Sequence, residues 1–229
     1  MLRVGGIILC FLLIVWSAKV IVLALSVNRY AAHWRQTAGL PQENQIRYIA
    51  LGDSTAQAIG ASKPTKGYVG LVAGALSQKH KASVHVTNIS VSGATVRDAL
   101  EKQLPQLQYM LTTPATVLTI EIGANDMKNY HQQEFGSQID QLFSQLPKQT
   151  VVSTIPYFGH GRYWRLEKNV RPANAIIEKA AKHYGLRVAP LYDVTKQRDN
   201  PLVYAADYFH PSNRGYRNWF DAFWLILDS

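Results

Sequence analysis

The chain has 229 residues, 47% hydrophobic and 17% charged, which is enough apolar material for one sizeable core and too much for a disordered tail. Its one cysteine, Cys10, lies in an apolar N-terminal run, which excludes a disulfide framework, a thiolate metal site and a cysteine nucleophile in the main domain. The net charge of +9 is scattered and no nucleic-acid motif accompanies it, so it suits an anionic membrane surface or a polyanionic polymer, and no nucleic-acid partner is expected.

From Val4 to Val27 the chain is apolar except for Lys19 and a few small polar residues. At about 1.5 Å per residue, such a run exceeds the roughly 30 Å hydrocarbon core of a bilayer. Residues 1–35 are therefore expected to be a transmembrane anchor, with Lys19 snorkelling toward an interface and Tyr30 and Trp34 placed at one. The competing reading is a cleaved signal segment, with Arg3 as its positive start and Ala24-Leu-Ser26 as a small-residue cleavage site. Arg3 on one side against Arg29 and Arg35 on the other gives no clean positive-inside signal, and read strictly leans toward a cytoplasmic domain. The expectation carried forward is an extracytoplasmic catalytic domain held by a single span, or a secreted one if the segment is cleaved. Residues 36–45 read as a polar linker and 46–229 as the domain.

Within the domain, β-branched runs alternate with stretches of helical character. Strands are expected near Ile46–Leu51, Val84–Val91, Thr116–Ile122, Val151–Ile155 and Leu186–Leu191. Helices are expected near Tyr68–Ser77, Val96–Leu107, Ser137–Leu146, Pro172–Tyr184 and Asn213–Leu227. Near-continuous apolar strands imply burial on both faces, and helical crossovers imply a mostly parallel five-stranded sheet in a three-layer α/β/α sandwich. Ligands of such sheets bind beyond the carboxyl ends of the strands.

The chemistry-bearing residues fall at those ends. Tyr48-Ile-Ala-Leu-Gly-Asp-Ser54 carries a hydroxyl to the mouth of a helix-like stretch, where Ser54 can act as a nucleophile. Ser54-Thr-Ala-Gln57 equally fits a capping box, in which the serine only satisfies helix N–H groups. Gly93, after the second strand, can offer its N–H to a developing oxyanion, or can be an ordinary turn glycine. Asn125, after the third, can offer a side-chain amide, or cap a helix. In Asp207-Tyr-Phe-His210, residues three apart can pair, Asp207 accepting the imidazole Nδ1–H and leaving Nε2 to face Ser54. A single histidine is as readily a surface or core residue.

Gly-Asp-Ser54, Gly93, Gly-Ala-Asn125-Asp and Asp207-Tyr-Phe-His210 recur in the order and rough spacing of the SGNH (GDSL-type) hydrolase superfamily, which the chain resembles from Ile46 onward. The resemblance implies a flavodoxin-like SGNH hydrolase fold and a serine esterase or lipase-type hydrolase needing no cofactor. Ser54 would be its nucleophile, His210 its base and Asp207 the orienting acid. The Ser54 N–H, the Gly93 N–H and the Asn125 amide would form the oxyanion hole. Ala56-Gln-Ala-Ile-Gly60-Ala and Lys66-Gly-Tyr-Val resemble the lysophospholipase-like and small-esterase branch.

Other sites find little support. The run around Ser54 is not G-x-S-x-G, and H-E-x-x-H, a phosphate loop and G-x-G-x-x-G are missing, so neither metal nor nucleotide is required. Tyr157-Phe-Gly-His160-Gly-Arg162-Tyr-Trp164-Arg165 mixes aromatic and cationic groups on the ligand side, making Arg162 and Trp164 candidate substrate-binding residues, with a solvated loop as the alternative. The expected partners are a small-molecule or lipid ester and, through the N-terminal segment, a membrane. Alternatives to ester hydrolysis are an acyltransferase or deacetylase acting on acylated cell-surface glycan, and a non-catalytic tethered binding module. Oligomeric state is not legible.

Overall fold

The computed structural model describes residues 2–39, 42, 44–112, 117–159 and 161–229. Strands β1 (Ile46–Gly52), β2 (Val84–Asn88), β3 (Val117–Glu121), β4 (Val151–Ser153) and β5 (Arg187–Ala189) form one sheet in the order β2-β1-β3-β4-β5, every pair parallel. The chain steps outward from β1 to β2 and then back across to β3. This reversal opens a crevice beyond the carboxyl ends of β1 and β3.

Alternation along β1 divides the interior into two cores. Ile49 and Leu51 point to one, with Leu118, Ile120 and the buried faces of α5 (Gln132–Phe143) and α6 (Glu167–Tyr184). Tyr48 and Ala50 point to the other, with α2 (Tyr68–His80) and α8 (Asn213–Leu227). There Tyr68 stacks on Phe223 at 4.6 Å between ring centroids, and Trp219 and Phe223 are buried as their helical spacing predicts.

β1 runs one residue further than expected, to Gly52, while the other four strands are shorter, and at β2 and β4 side chains take over the backbone at the carboxyl end. Asn88 ends β2 by accepting the Ser90 N–H and donating to Ala56 O. Asn174 ends β4 by bonding both the N–H and the C=O of Ile155. Pro190 ends β5, and the following residues form a helix the sequence reading did not anticipate, α7 (Leu191–Gln197). The expected start of the third strand at Thr116 lies outside the described residues. Helix α6 begins five residues before Pro172, which sits inside it, and α5 begins at Gln132 instead of Ser137. The second expected helix, Val96–Leu107, forms as three joined pieces: α3 (Val96–Asp98), a π-helical turn Ala99–Gln103, and α4 (Leu104–Met110). In the linker reading of 36–45, Gln36 and Thr37 belong to a helix, while Leu40, Pro41 and Glu43 lie outside the described residues.

The N-terminal segment is one helix, α1 (Leu2–Thr37), long and apolar enough to cross a membrane. Its C-terminal part is docked on the domain. Tyr30 and Trp34, expected at a membrane interface, are instead buried in the second core, where the Tyr30 hydroxyl donates to Ala61 O (2.8 Å) and Trp34 Nε1–H to Gln57 O (3.1 Å). Their large apolar surfaces gain more from the domain interior than from a headgroup layer, and each polar tip finds a carbonyl there. Trp34→Ala in the full chain should lower unfolding stability by about 3–5 kcal/mol, read from the shift of the denaturation midpoint in detergent. An unshifted midpoint would mean that α1 does not pack on the domain.

Candidate active site

β1 delivers the chain into the crevice through Gly52. Its φ of +145° and a Cβ that would meet Glu121 O at 2.2 Å leave room for no other residue. The Gln103 side chain, from the π-helical turn, brackets Gly52 by accepting its N–H (3.0 Å) and donating to its carbonyl (2.9 Å). Residues 54–60 then form successive turns and not an α-helix, so the capping-box reading of Ser54-Thr-Ala-Gln57 fails. Gln57 instead spans to the loop after β2, donating to Ser90 O and accepting from the Ser92 hydroxyl. A true capping box occurs at Thr95 and Asp98, opening α3.

The loop between α7 and α8 meets this turn. A bridge between Tyr204 and Pro211, with Ala205 N–H donating to His210 O and Ser212 N–H to Val203 O, closes it into a rigid hairpin-like loop. At its tip, Asp207 Oδ1 accepts the backbone N–H groups of Phe209 and His210, each at 3.1 Å. Asp207 Oδ2 lies 2.6 Å from His210 Nδ1, and His210 Nε2 lies 2.9 Å from Ser54 Oγ. Because an ionised carboxylate only accepts, Nδ1 carries the imidazole proton and Nε2 accepts the Ser54 hydroxyl proton. Burial tends to raise the Asp207 pKa, but the His210 hydrogen bond and charge and the two backbone N–H groups outweigh it and hold the carboxyl below its ordinary value.

Two backbone N–H groups near the Ser54 hydroxyl lack a protein partner among the described residues. Gly93 has φ of +80°, and among the described residues neither its N–H nor that of Ser54 is bonded to protein. Asn125 stands beside them, with its amide nitrogen donating to Asp53 Oδ2 and to Ala94 O, both at 3.0 Å. The structure thus brings Ser54, Gly93, Asn125, Asp207 and His210 to one place. In this arrangement both Asn125 amide protons tie the nucleophile turn to the Gly93 turn.

Beneath Ser54 lies a carboxylate cluster that the sequence reading missed. The Thr55 hydroxyl sits between Asp53 Oδ1, at 3.0 Å, and Glu121 Oε2, and the Thr55 N–H also donates to Asp53 Oδ1. Both acids are buried, and desolvation raises both pKa values, that of Glu121 strongly. One hydroxyl proton cannot serve two acceptors. The arrangement that satisfies every atom is a neutral Glu121 donating to Thr55, which donates to Asp53. A charged residue inside the apolar run Val117–Ile122 is the signal that points to Glu121. Nearby, burial pushes Asp126 up to about 6, against the opposing effect of the Val96 N–H that it accepts.

Of the two candidate substrate residues, Trp164 is not gathered with Ser54, Asp207 and His210. Trp164 is exposed, its ring meets the Arg165 guanidinium at 5.5 Å, and it lines a groove with Tyr157, Gly159, Arg165, Glu167 and Lys168 that includes no triad residue. Arg162 falls in the short 3-10 helix Gly161–Leu166, with its side chain outside the described residues, as is His160. The segment nonetheless touches the catalytic loop, since Phe209 stacks on Phe158 and packs against Tyr163. Among the described residues, no three His, Cys, Asp or Glu side chains gather in a way that could hold a metal ion.

The model of the GDSL-like lipase/acylhydrolase family matches residues 50–217, a stretch that runs from the β1 turn past His210. The chain belongs to this family. As a GDSL-like acylhydrolase of the SGNH superfamily, it is a carboxylic ester hydrolase. Its fold recurs in an alpha/beta hydrolase from the metagenome of Lake Arreo, Spain, with 20% identity and a TM-score of 0.65 over 83% of this chain and 98% of that one. It recurs also in an acetylxylan esterase from Geobacillus stearothermophilus, with 19% identity and a TM-score of 0.64 over 82% and 97%. No curated protein matches the GDSL-like chain by sequence.

Two outcomes follow from the buried acids. Glu121→Gln keeps a neutral donor of the same shape and should be tolerated, whereas Glu121→Ala should cost about 2–4 kcal/mol by chemical denaturation; equal losses would refute a protonated Glu121. Asp126 has a folded pKa raised from 3.8 to about 6. The folded state therefore binds its proton more tightly than the unfolded chain, and the resulting stability is complete below pH 4 and lost as pH rises through about 6. Asp126→Asn should accordingly melt higher relative to the parent at pH 7.5 than at pH 4, and a pH-independent difference would refute this.

Proposed function

We propose that this GDSL-like hydrolase is a serine esterase working through Ser54, His210 and Asp207. The observation that carries the reading is the continuous chain Asp207 Oδ2, His210 Nδ1, His210 Nε2, Ser54 Oγ, with links of 2.6 and 2.9 Å.

In this mechanism His210 Nε2 takes the Ser54 proton as Oγ attacks the ester carbonyl carbon. The carbonyl electron pair moves onto oxygen, and the oxyanion is met by the Ser54 and Gly93 N–H groups. Asn125 becomes the third donor when one amide proton leaves Asp53 or Ala94 O for the oxyanion. The imidazolium, stabilised by Asp207, then protonates the departing alkoxide as the C–O bond breaks, leaving an acyl-Ser54 ester. Water, deprotonated by His210, attacks this ester, and Ser54 recovers its proton as the carboxylic acid departs. Each free backbone donor contributes about 2.7–4 kcal/mol to the barrier reduction.

The substrate in this reading is a small or lipidic oxygen ester. The enzyme is held at a membrane by α1 with its domain outside the cytoplasm. Ser54→Ala and His210→Ala should each lower kcat on p-nitrophenyl acetate by about 10⁶-fold, and Asp207→Ala by about 10⁴-fold, in the full chain. Ester turnover that survives in Ser54→Ala would refute the assignment, as would failure of a fluorophosphonate to label Ser54.

A further inference from the structure

The docked part of α1 touches the domain at three points on segments near Ser54 and His210. Trp34 Nε1–H reaches Gln57 O, the Tyr30 hydroxyl reaches Ala61 O, and Trp16 Nε1–H reaches Ala206 O (3.0 Å), the residue before Asp207. The apolar helix therefore leaves the domain at the carboxyl edge of the sheet, beside the loop that carries His210. Leu2–Val15 continue beyond that contact as helix for about 21 Å, at about 1.5 Å per residue. Phe11, Leu13 and Ile14 are exposed there. Trp16 and Lys19, one turn apart, stand where the helix meets the edge, as an aromatic ring and a cation do at a lipid–water boundary.

The edge itself has the matching surface. Val91, Trp164, Leu202 and Tyr208 are exposed on three of its loop segments. Around them stand Lys63, Lys66, Lys128, Arg165 and Arg214, all exposed, and among the described residues none of the five forms an ion pair with a carboxylate. Exposed apolar side chains ringed by unpaired cations fit an anionic bilayer surface, where each nearby cation adds attraction and each apolar side chain finds the headgroup boundary.

We infer that α1 holds the domain with its active-site edge against an anionic membrane, so that Ser54 receives the ester of a membrane-resident amphiphile from the bilayer instead of a polymer from solution. The inference takes the identity of the reacting residue from the serine-esterase reading, but the docking geometry stands apart from it.

The test uses the full chain in phosphatidylcholine/phosphatidylglycerol vesicles, in a Cys10→Ala background. Bimane is attached at Leu202→Cys, on the active-site edge, or at Lys148→Cys, exposed at the start of β4 on the opposite edge. Doxyl lipids should quench the probe at 202 at least about twofold more than the probe at 148. Equal quenching, or stronger quenching at 148, would overturn the inference. In the same vesicles, Lys63→Glu/Lys66→Glu should slow hydrolysis of vesicle-borne p-nitrophenyl palmitate by about tenfold or more at low salt, while p-nitrophenyl acetate turnover stays unchanged. Unchanged palmitate hydrolysis, or an equal loss with both esters, would count against it. Hydrolysis of p-nitrophenyl acetate separates the two readings: its absence with quenching intact sinks the serine esterase and leaves the docking, and its presence without selective quenching does the reverse.

Discussion

Two carboxylic acids buried under the end of the central strand pair set the terms for everything above them. Asp53, just past β1, and Glu121, at the end of the adjacent β3, leave water and can remain there only if they find hydrogen-bond partners. The partners are the Thr55 hydroxyl, which accepts from a neutral Glu121 and donates to Asp53, and the Thr55 N–H and the Asn125 amide, which donate to Asp53; each is itself a part of the site. Satisfying the acids therefore fixes the turn after β1 and ties it to the loop after β3. Ser54, the proposed nucleophile, is positioned as a consequence of hydrogen-bond satisfaction, and loosening any member exposes a group that costs more unpaired than it contributes when paired.

The same logic recurs at the other contributors. Gln103 spends its whole side chain on the backbone of one glycine, and Gln57, Asn88 and Asn174 each end or bridge a strand where ladder bonding stops. Amide side chains are suited to this work because one group both donates and accepts. Asp207 holds its own loop through two backbone N–H groups while its second oxygen orients His210, so the base is held by a closed loop and not by a flexible one. Rigid placement of the reacting groups lowers the reorganisation required during catalysis.

The long apolar helix ties this machinery to its surroundings. Its buried aromatic residues make it part of the second core, while its far half carries an apolar surface past the crevice. The docked helix and the candidate site thus share one edge of the sheet, because the segment that follows Ser54 also supplies the carbonyls that Tyr30 and Trp34 bond.

The sequence by itself determined the strand–helix rhythm and the parallel sheet, and it named the candidate side chains that the structure brings together. Alternating apolar runs have one economical burial; Gly-Asp-Ser54, Gly93 and Asn125 each follow a strand, and Asp207-Tyr-Phe-His210 precedes the last helix. It misread the places where polar side chains override propensity: β2 and β4 stop early at Asn88 and Asn174, the stretch after Ser54 is a set of turns despite its capping-box pattern, and Tyr30 and Trp34 face protein and not lipid. Only the tertiary structure decided those points, together with the pairing of Thr55 with Glu121 across sixty-six positions of chain. Such contacts depend on which distant groups are left without partners once the sheet has closed, a condition that no local pattern of residues encodes.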